Sequence, residues 1–316
     1  MGGRWIAAPW WGCKGVDDRA FLAIVNPAAG GGRLRGLLQP ALERLRAGNV
    51  RVEIKETSGA GQASEIAREA YRRGQGKFIA VGGDGTAYEI INGLFPEAAD
   101  NERPTLGFLP LGTGNSFLRD FSDRGVEHAM ESLLEGRAKP CDVLRLKHDA
   151  GTIFYINLLS VGFSADVATL RARRFSRWGE IGYQTAIVLT LARFRRRPFP
   201  LRVNGSSEID RRPCLFLTFS NSKFTGGTMM IAPQADVNDG LIEYVRWGPI
   251  GRLGLIRNLP TLYDGTHVNH PLAERQAVER VDFELDGPVD VMVDGEVFTL
   301  RCQTLDVLHS AINVVA

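Results

Sequence analysis

Apolar and polar positions alternate in blocks over the first 140 residues, and the blocks predict strands and helices in turn. Short apolar runs such as Phe21–Val25 and Phe78–Val81 are typical of buried strands. Between them, apolar side chains recur with helical spacing at Leu34, Leu37, Leu38, Leu42 and Leu45. Strands that alternate with helices indicate a parallel sheet covered on both faces. The pattern therefore predicts an α/β domain over residues 20–140.

The pattern changes after residue 140 to short strand-like runs separated by turn residues. Examples are CDVLRLKH from Cys141, TIFYINLLSVGF from Thr152 and PCLFLTFSN from Pro213. This texture is typical of an antiparallel β domain, which we place at residues 141–302. Two helical stretches interrupt it, an insert at residues 166–194 and a shorter one at 250–265. Residues 1–19 are expected to form an N-terminal tail, and residues 303–316 to return to the first domain.

Three glycine-rich turns follow strands of the first domain. NPAAGGG begins at Asn26, GGDGT at Gly82 and GTGN at Gly112. In a parallel sheet, right-handed crossovers bring the carboxyl ends of the strands to one edge, where ligands bind. Each turn is weak evidence alone, because glycine loops are common. Three of them in register predict a single binding site.

The acid at the centre of GGDGT narrows the chemistry of that site. Glycine at positions 82, 83 and 85 lets backbone amides approach a ligand, and a helix that starts near Thr86 adds its positive end. No lysine follows, as a P-loop would require. Asp84 would repel a phosphate unless Mg²⁺ bridged the two. The turn therefore predicts a site for a metal-bound polyphosphate, and the alternative is a plain strand-to-helix turn.

Composition excludes several classes of protein. The chain has 316 residues, of which 44% are hydrophobic and 23% charged, so we expect a packed, water-soluble core. A net charge of only +2 argues against a nucleic-acid partner. The four cysteines form no C-x-x-C pair, which indicates reduced thiols in a cytoplasmic protein. No apolar run reaches the ~18–20 residues of a membrane span, and the N-terminus does not match a secretory signal.

The motifs NPAAGGG, GGDGTAYEIING and PLGTGNSF resemble, in order and spacing, the catalytic domain of the diacylglycerol kinase family. That family includes sphingosine and ceramide kinases and soluble bacterial lipid kinases. NSKFTGGTMMIAPQADVNDGLIEYV from Asn221, and VDGE from Val293, extend the resemblance over roughly Phe21 to Ala316. It implies ATP-dependent phosphorylation of a lipid hydroxyl. It also implies a nucleotide domain and a lipid-binding β-sandwich that flank the active cleft.

The resemblance further implies roles for individual residues, matched position by position. The residues it expects to contact ATP are Asn26, Pro27, Ala28, Ala29, Gly30, Thr57, Gly83, Asp84, Gly85, Thr86, Ala87, Tyr88, Glu89 and Thr113. It expects Glu296 to accept the proton of the lipid hydroxyl, with Asp294 beside it and Asp84 completing the catalytic set. It expects a structural Mg²⁺ on Asp236, Asp239 and, through its carbonyl, Leu241. Without the resemblance, VDGE is better interpreted as a hairpin turn.

One position departs from the family pattern. Ser116 stands where the G-T-G-N turn is usually followed by an aspartate. Family members that act on sphingoid or ceramide lipids often lack this aspartate too. The acceptor lipid is therefore left open between diacylglycerol and a related alcohol such as a sphingoid base.

Arginines cluster around an apolar stretch in the helical insert. Residues 171–197 hold eight arginines and one acid, a charge of +7 in a chain of +2 overall. The apolar stretch Ile187–Leu191 lies between them, and Trp178 is a residue type found at membrane interfaces. We hypothesise transient docking on an anionic membrane surface, peripherally at the inner face. The alternative is a core helix with solvated arginines, and the oligomeric state is left open, a homodimer included.

Two other functions compete with a lipid kinase. A kinase of soluble substrates, of the NAD kinase type, shares the G-G-D-G turn but does not explain the arginine-rich insert or the resemblance of the second half. A non-catalytic lipid-binding protein with the same fold would be favoured if Asp84 or Glu296 were missing, and both are present.

Overall fold

The computed structural model describes residues 20–29, 34–112, 115–175, 178–193 and 196–316. The strands are β1 (Ala20–Val25), β2 (Arg51–Glu56), β3 (Lys77–Val81), β4 (Thr105–Leu109), β5 (Ala138–His148), β6 (Gly151–Tyr155), β7 (Leu158–Gly162), β8 (Arg197–Pro198), β9 (Leu201–Val203), β10 (Pro213–Cys214), β11 (Phe216–Ser220), β12 (Phe224–Thr225), β13 (Met229–Met230), β14 (Ile242–Trp247), β15 (Ala273–Val278), β16 (Arg280–Phe283), β17 (Val289–Val293), β18 (Glu296–Leu300) and β19 (Cys302–Val315). The helices are α1 (Leu34–Ala47), α2 (Gln62–Arg72), α3 (Asp84–Leu94), α4 (Val126–Glu135), α5 (Phe163–Leu170), α6 (Gly179–Arg193), α7 (Arg252–Asn258) and α8 (Thr261–Asp264). Shorter helical turns cover Glu97–Ala99, Phe117–Asp120, Arg171–Phe175 and Thr266–Asn269.

The first half of the chain forms a parallel sheet in the order β2-β1-β3-β4. Its two faces are both buried, because Ile24 packs toward α2 and α3 while Val25 packs toward α1 and α4. Strands buried on both faces are apolar along their whole length, which is why these runs are nearly continuous in the sequence. The predicted α/β fold is confirmed.

The C-terminal strand joins this sheet to the second half of the chain. The end of β19 runs parallel to β4, from Asn313 to Val315, while most of its length pairs antiparallel with β5. Strand β16 lies on the other side of β19 and pairs in turn with β9, and β6 pairs with β5. These connections make one nine-stranded sheet that begins parallel and ends antiparallel.

A second, six-stranded antiparallel sheet covers the antiparallel end of the first, in the order β15-β14-β11-β7-β17-β18. Tyr155 and Leu305 from the large sheet pack against Leu159, Phe219 and Val291 from the smaller one. Each strand alternates inward and outward side chains, as expected of stacked sheets. The predicted β-sandwich is confirmed.

Helices cover the outer face of the six-stranded sheet. Val167 of α5, Ala186 of α6 and Leu255 of α7 are buried in one cluster with Phe216 and Trp247 from the sheet. The insert predicted at residues 166–194 therefore begins three residues earlier, at Phe163, and its last described helix ends at Arg193. The stretch predicted at 250–265 divides into α7 and α8.

Some elements differ from the sequence prediction. The run from Thr152 does not form one strand, because it breaks at Ile156–Asn157 between β6 and β7. The pattern did not predict the small hairpin of β12 and β13, or β15. Within the described ranges, no helix is both long and apolar enough to cross a membrane. Three cysteines that the structure describes, Cys141, Cys214 and Cys302, are buried and free, whereas Cys13 and the predicted tail lie outside the described residues.

Candidate active site

The three glycine-rich turns touch one another at the carboxyl edge of the parallel sheet. The amide of Asn26 donates to the carbonyl of Val81 (3.1 Å), at the start of the GGDGT turn. The amide of Gly112 donates to the carbonyl of Gly82 (3.1 Å), and that of Gly82 to the carbonyl of Leu109 (3.2 Å). The backbone of the central turn is thus held by both neighbouring turns.

Glycine is required where the second and third turns cross. A Cβ on Gly112 would stand 2.8 Å from the amide nitrogen of Gly83 and 2.9 Å from the carbonyl carbon of Gly82. A Cβ on Gly82 would stand 2.3 Å from Oγ1 of Thr86. That hydroxyl is buried and has no hydrogen-bond partner among the described residues. The backbone in this turn thus packs too closely for any side chain at Gly82 or Gly112. The Thr86 hydroxyl beside it remains without a hydrogen-bond partner among the described residues.

Asp84 is the first residue of α3, and Gly83 precedes it in an extended conformation. An acid at this position is stabilised by the helix dipole. The Oδ2 atom of Asp84 accepts a hydrogen bond from the amide of Ser116 (2.9 Å). Burial raises the pKa of Asp84, while hydrogen bonds from Ser116 and from the amide of Phe117 oppose that shift. The central acid therefore bridges the second and third turns.

Ser116 also links this site to the second half of the chain. Its Oγ atom accepts a hydrogen bond from the amide of Gly227 (2.9 Å), at the tip of the β12–β13 hairpin. Beside it, the amide of Lys223 donates to both carboxylate oxygens of Asp120 (3.0 Å each). The hairpin is therefore joined by hydrogen bonds to the α/β domain at two points. No local pattern predicts these contacts, because Ser116 and Gly227 are 111 positions apart.

The VDGE motif forms a two-residue hairpin turn between β17 and β18. Val293 pairs with Glu296, and the turn residues Asp294 and Gly295 have φ values of 47° and 91°. Asp-Gly is the residue pair that such a turn favours, since both positions need a positive φ. The hairpin interpretation and the family interpretation of this motif are thus compatible, because the turn places two acids at the end of the sheet.

Asp294 is buried and fully engaged with backbone. Its carboxylate accepts hydrogen bonds from the amides of Ile156 (3.2 Å), Asn157 (3.1 Å) and Leu158 (2.9 Å). Burial is the main cause that raises the pKa of Asp294 to about 7; the negative charge of Asp84 contributes to this rise, and the hydrogen bonds from the three amides oppose it. The three amides lie at the end of β6 and the start of β7, where the strand is interrupted. Asp294 therefore holds the β17–β18 hairpin against this connection.

Glu296, in contrast, is exposed, and its carboxylate faces the GGDGT turn. Its Oε1 atom lies 2.9 Å from the point where a Cβ on Gly85 would stand. Partial loss of water around its carboxyl group raises the pKa of Glu296, and the negative charge of Glu89 adds to that shift. Two acids two positions apart therefore have different surroundings, one locked in backbone bonds and one open to a ligand.

Two of the residues predicted to contact ATP are engaged elsewhere in the protein. The Glu89 carboxylate accepts from the amides of Gly61 (2.9 Å) and Ala63 (3.0 Å), at the start of α2. The ring of Tyr88 lies 6.2 Å from that of Phe298 on β18. Burial raises the pKa of Tyr88, and nearby acids, Asp294 first among them, raise it further. Glu89 thus connects α3 to α2, and Tyr88 packs α3 against β18.

The remaining residues that were predicted to contact ATP lie in or next to the turns. Asn26 turns the chain after β1, with its Oδ1 accepting from the amide of Ala28 (3.0 Å). The amide of Thr57 donates to the carbonyl of Val25 (2.8 Å), so Thr57 lies beside that turn. Of the others, Pro27 and Ala29 are half-buried, Ala28 is exposed and Ala87 is buried in α3. Gly30 and Thr113 lie outside the described residues.

The acids predicted to hold a structural Mg²⁺ lie in a separate turn. Asp236 and Asp239 are both exposed, and their Oδ1 atoms accept from the amides of Asn238 (3.0 Å) and Leu241 (2.9 Å). Burial raises the pKa of Asp239, and the negative charges of Asp236 and buried Asp142 add to it. No group of three or more His, Cys, Asp or Glu side chains suited to a metal occurs within the described ranges. Carboxylate and carbonyl oxygens are nonetheless the donors that Mg²⁺ prefers, so this set fits the ion.

Comparison with known proteins places this architecture in a family. The diacylglycerol kinase catalytic domain matches residues 20–146, and the YegS C-terminal NAD kinase beta sandwich-like domain matches residues 157–316. A diacylglycerol kinase of Mycobacterium tuberculosis is 28% identical over 278 residues, covering 87% of each chain. A diacylglycerol kinase of Bacillus subtilis is 27% identical over 288 residues, covering 88% of this chain and 92% of the relative.

Solved structures agree on the fold. A crystal structure of a diacylglycerol kinase from Bacillus anthracis aligns with a TM-score of 0.69 at 20% identity, covering 94% of this chain and 96% of that one. At that identity, the likeness supports the fold alone. Together the two domain matches span nearly all of the described chain. The first covers the parallel sheet and the second covers most of the β-sandwich. The chain therefore belongs to the diacylglycerol kinase-like family of lipid kinases, in which a diacylglycerol kinase catalytic domain is followed by a YegS-type β-sandwich domain.

Proposed function

We propose that this protein transfers the γ-phosphoryl group of ATP to the hydroxyl of a lipid alcohol, either diacylglycerol or a related lipid such as a sphingoid base. The observation that carries the proposal is the position of Glu296. Its carboxylate comes from the β-sandwich, yet it faces Gly85 in the turn that follows β3. A proton acceptor opposite a phosphate-binding turn is the arrangement that phosphoryl transfer to an alcohol needs.

The nucleotide side would bind the phosphates through main-chain amides. The turn from Gly82 to Gly85 lies at the start of α3, where free amides and the helix dipole favour anions. Asp84 is the acid in that turn, and it would hold the Mg²⁺ that accompanies ATP. Magnesium bound there would neutralise negative charge on the phosphates of ATP. Ser116 keeps the carboxylate of Asp84 oriented through its amide.

The two acids of the β17–β18 hairpin would have different roles in the reaction. Glu296 would accept the proton from the attacking hydroxyl, because its carboxylate is exposed and has a raised pKa. Asp294 would position Glu296, because its oxygens already accept three backbone amides. A lipid alcohol is a poor nucleophile, so the loss of a proton during attack lowers the barrier.

A second magnesium ion would act on structure rather than chemistry. Asp236, Asp239 and the carbonyl of Leu241 would hold it, with buried Asp142 behind them. The amide of Gly240, inside the same turn, donates to Asp142 (2.7 Å). A cation there would offset the repulsion between these acids and stiffen the turn that leads into β14.

Docking on an anionic membrane surface would bring the enzyme to its substrate. Trp178 and Ile181 on the helical insert are 59% and 71% exposed, which supports this role. Some arginines of the cluster at residues 171–197 contact other side chains of the protein: Arg197 forms an ion pair with Asp166 (2.7 Å), and Arg173 donates to Thr299 (3.1 Å). We propose a cytoplasmic protein that docks peripherally, and replacing Arg197 would disturb its fold as well as its charge.

Labelled phosphate transfer tests the proposal. The protein is incubated with γ-labelled ATP, Mg²⁺ and, in parallel, diacylglycerol, monoacylglycerol, sphingosine, ceramide, phosphatidylglycerol and NAD. We expect label in at least one lipid alcohol and its loss in Glu296→Gln. Label in NAD alone would contradict the lipid assignment and favour a kinase of soluble substrates. Absence of label in every acceptor, in a protein that binds vesicles, would favour a non-catalytic lipid-binding protein.

A further inference from the structure

Helix α7 is apolar on both its inner and its outer sides. Leu255 faces the six-stranded sheet and is 2% exposed. On the outer side, Leu253 is 83% exposed and Ile256 is 50% exposed. A surface helix normally turns polar residues outward. Two large aliphatic side chains on the outer side of α7 therefore indicate that this side contacts an apolar surface.

The charged residues of α7 itself are both basic. Arg252 and Arg257 flank it and are exposed, and the segment from Gly251 to Pro260 contains no acid. Tyr263, on the following helix, is 54% exposed. Aliphatic and aromatic side chains rimmed by arginines are typical of helices that lie in the interface of an anionic bilayer.

The outer side of α7 faces the same way as the outer side of α6. Ala186 on α6 and Leu255 on α7 are buried in one cluster on the same face of the six-stranded sheet. Two helices that cover the same face of a sheet both turn their outer sides away from it. The chain just beyond α6 reaches α7, since the Arg196 guanidinium lies 3.4 Å from the point where a Cβ on Gly251 would stand. The exposed Val188 of α6 therefore belongs to the same side of the molecule.

We propose that α7 is a second membrane-docking element, in which Leu253 and Ile256 enter the interface of an anionic bilayer while Arg252 and Arg257 contact lipid phosphates. This inference rests on the proposed function, because the acceptor lipid would lie in such a bilayer. A second copy of the chain fits the surface less well. A two-fold contact through α7 would bring arginines against arginines, which repel.

Vesicle binding without ATP tests the proposal separately from the kinase reaction. Vesicles of phosphatidylcholine with about 30% phosphatidylglycerol are sedimented with wild type, with Leu253→Glu/Ile256→Glu and with Leu37→Glu. Leu37 lies on α1 and is 53% exposed, so its replacement is a control for adding acid to an exposed leucine elsewhere. We expect the double variant to bind roughly tenfold or more weakly, with the control binding like wild type. Thermal unfolding checks that both variants fold.

Charge is tested with Arg252→Gln/Arg257→Gln. This variant should bind phosphatidylglycerol vesicles more weakly and respond less to added salt, whereas pure phosphatidylcholine should not distinguish it from wild type. Binding of the Leu253/Ile256 variant equal to that of wild type would overturn the proposal, as would a wild type that does not sediment. A wild-type dimer that the double variant converts to a monomer would also overturn it, because α7 would then be a self-association surface. If no lipid accepts phosphate but the vesicle results hold, the proposed reaction fails and the docking surface stands.

Discussion

Adding one methyl group at Gly85 tests the position of Glu296 without touching its chemistry. In Gly85→Ala, the new Cβ would stand 2.9 Å from Oε1 of Glu296, which is closer than the van der Waals contact of carbon and oxygen allows. Among the described residues outside its own helix, no other atom lies within 4 Å of that Cβ. The carboxylate at the end of a flexible side chain would therefore move while the backbone stays.

The expected effects on activity and stability are opposite in sign. A shift of roughly half an ångström in a proton acceptor should lower kcat by about tenfold, since about 1 Å can cause a hundredfold loss. That loss equals about 1.4 kcal/mol of transition-state stabilisation. Gly85 lies in the first turn of α3, where alanine is the better helix former. The free energy of unfolding should stay the same or rise by up to about 1 kcal/mol.

A double-mutant cycle separates this mechanism from a general disturbance of the turn. Steady-state transfer of labelled phosphate to the best lipid acceptor is measured for wild type, Gly85→Ala, Glu296→Ala and the double variant. Because Glu296→Ala has no carboxylate to displace, adding Gly85→Ala to it should change kcat little, within about 0.5 kcal/mol. An equal loss in both backgrounds, or a wild-type kcat in Gly85→Ala alone, would refute the reasoning.

Three further predictions concern the turns and the acids. Gly112→Ala should destabilise the fold by about 1–3 kcal/mol, because its Cβ would collide with backbone; denaturant melts should show this, whereas Gly36→Ala, which has open space and lies in α1, should be as stable as wild type or more stable by up to about 1 kcal/mol. Ser116→Ala should destabilise the fold by about 1–3 kcal/mol in denaturant melts, since the amide of Gly227 loses its hydrogen-bond acceptor; Ser116→Thr keeps the hydroxyl and should lose less, and equal losses would argue against the bridge. Because the pKa of Glu296 is raised above 4.5 and the base must be ionised, kcat should be full above that raised pKa and fall as the pH drops through it; an acid limb at or below pH 4.5 would contradict this.

Most strands and helices of the first half could be predicted from the sequence, because each buried element there shows its own apolar pattern over a few consecutive residues. Strands such as β1 and β3 are buried on both faces, so continuous apolar runs reveal them, and the glycine turns follow directly. The β12–β13 hairpin was missed because each of its strands has only two residues, too few for a period. The continuation of the large sheet through β19 depends on pairing between segments far apart in the chain, which local pattern does not encode.

The candidate site shows the same division. The turn at Asp84 and the hairpin at Asp294 could be predicted as local motifs, because glycine and Asp-Gly have specific backbone needs. Two features could not: the contact of Glu296 with the turn at Gly85, and the bridge from Ser116 to the β12–β13 hairpin. Both contacts join the two halves of the chain and depend on how the β-sandwich meets the parallel sheet.

The role of Glu296 is the central claim, and one comparison tests it most directly. Transfer of the γ-phosphoryl group to lipid is measured in wild type and Glu296→Gln, alongside equilibrium binding of ATP with Mg²⁺. The account predicts that transfer falls by about 10²–10⁴-fold while ATP binding stays within a few-fold of wild type. Transfer by Glu296→Gln at the wild-type rate would contradict it.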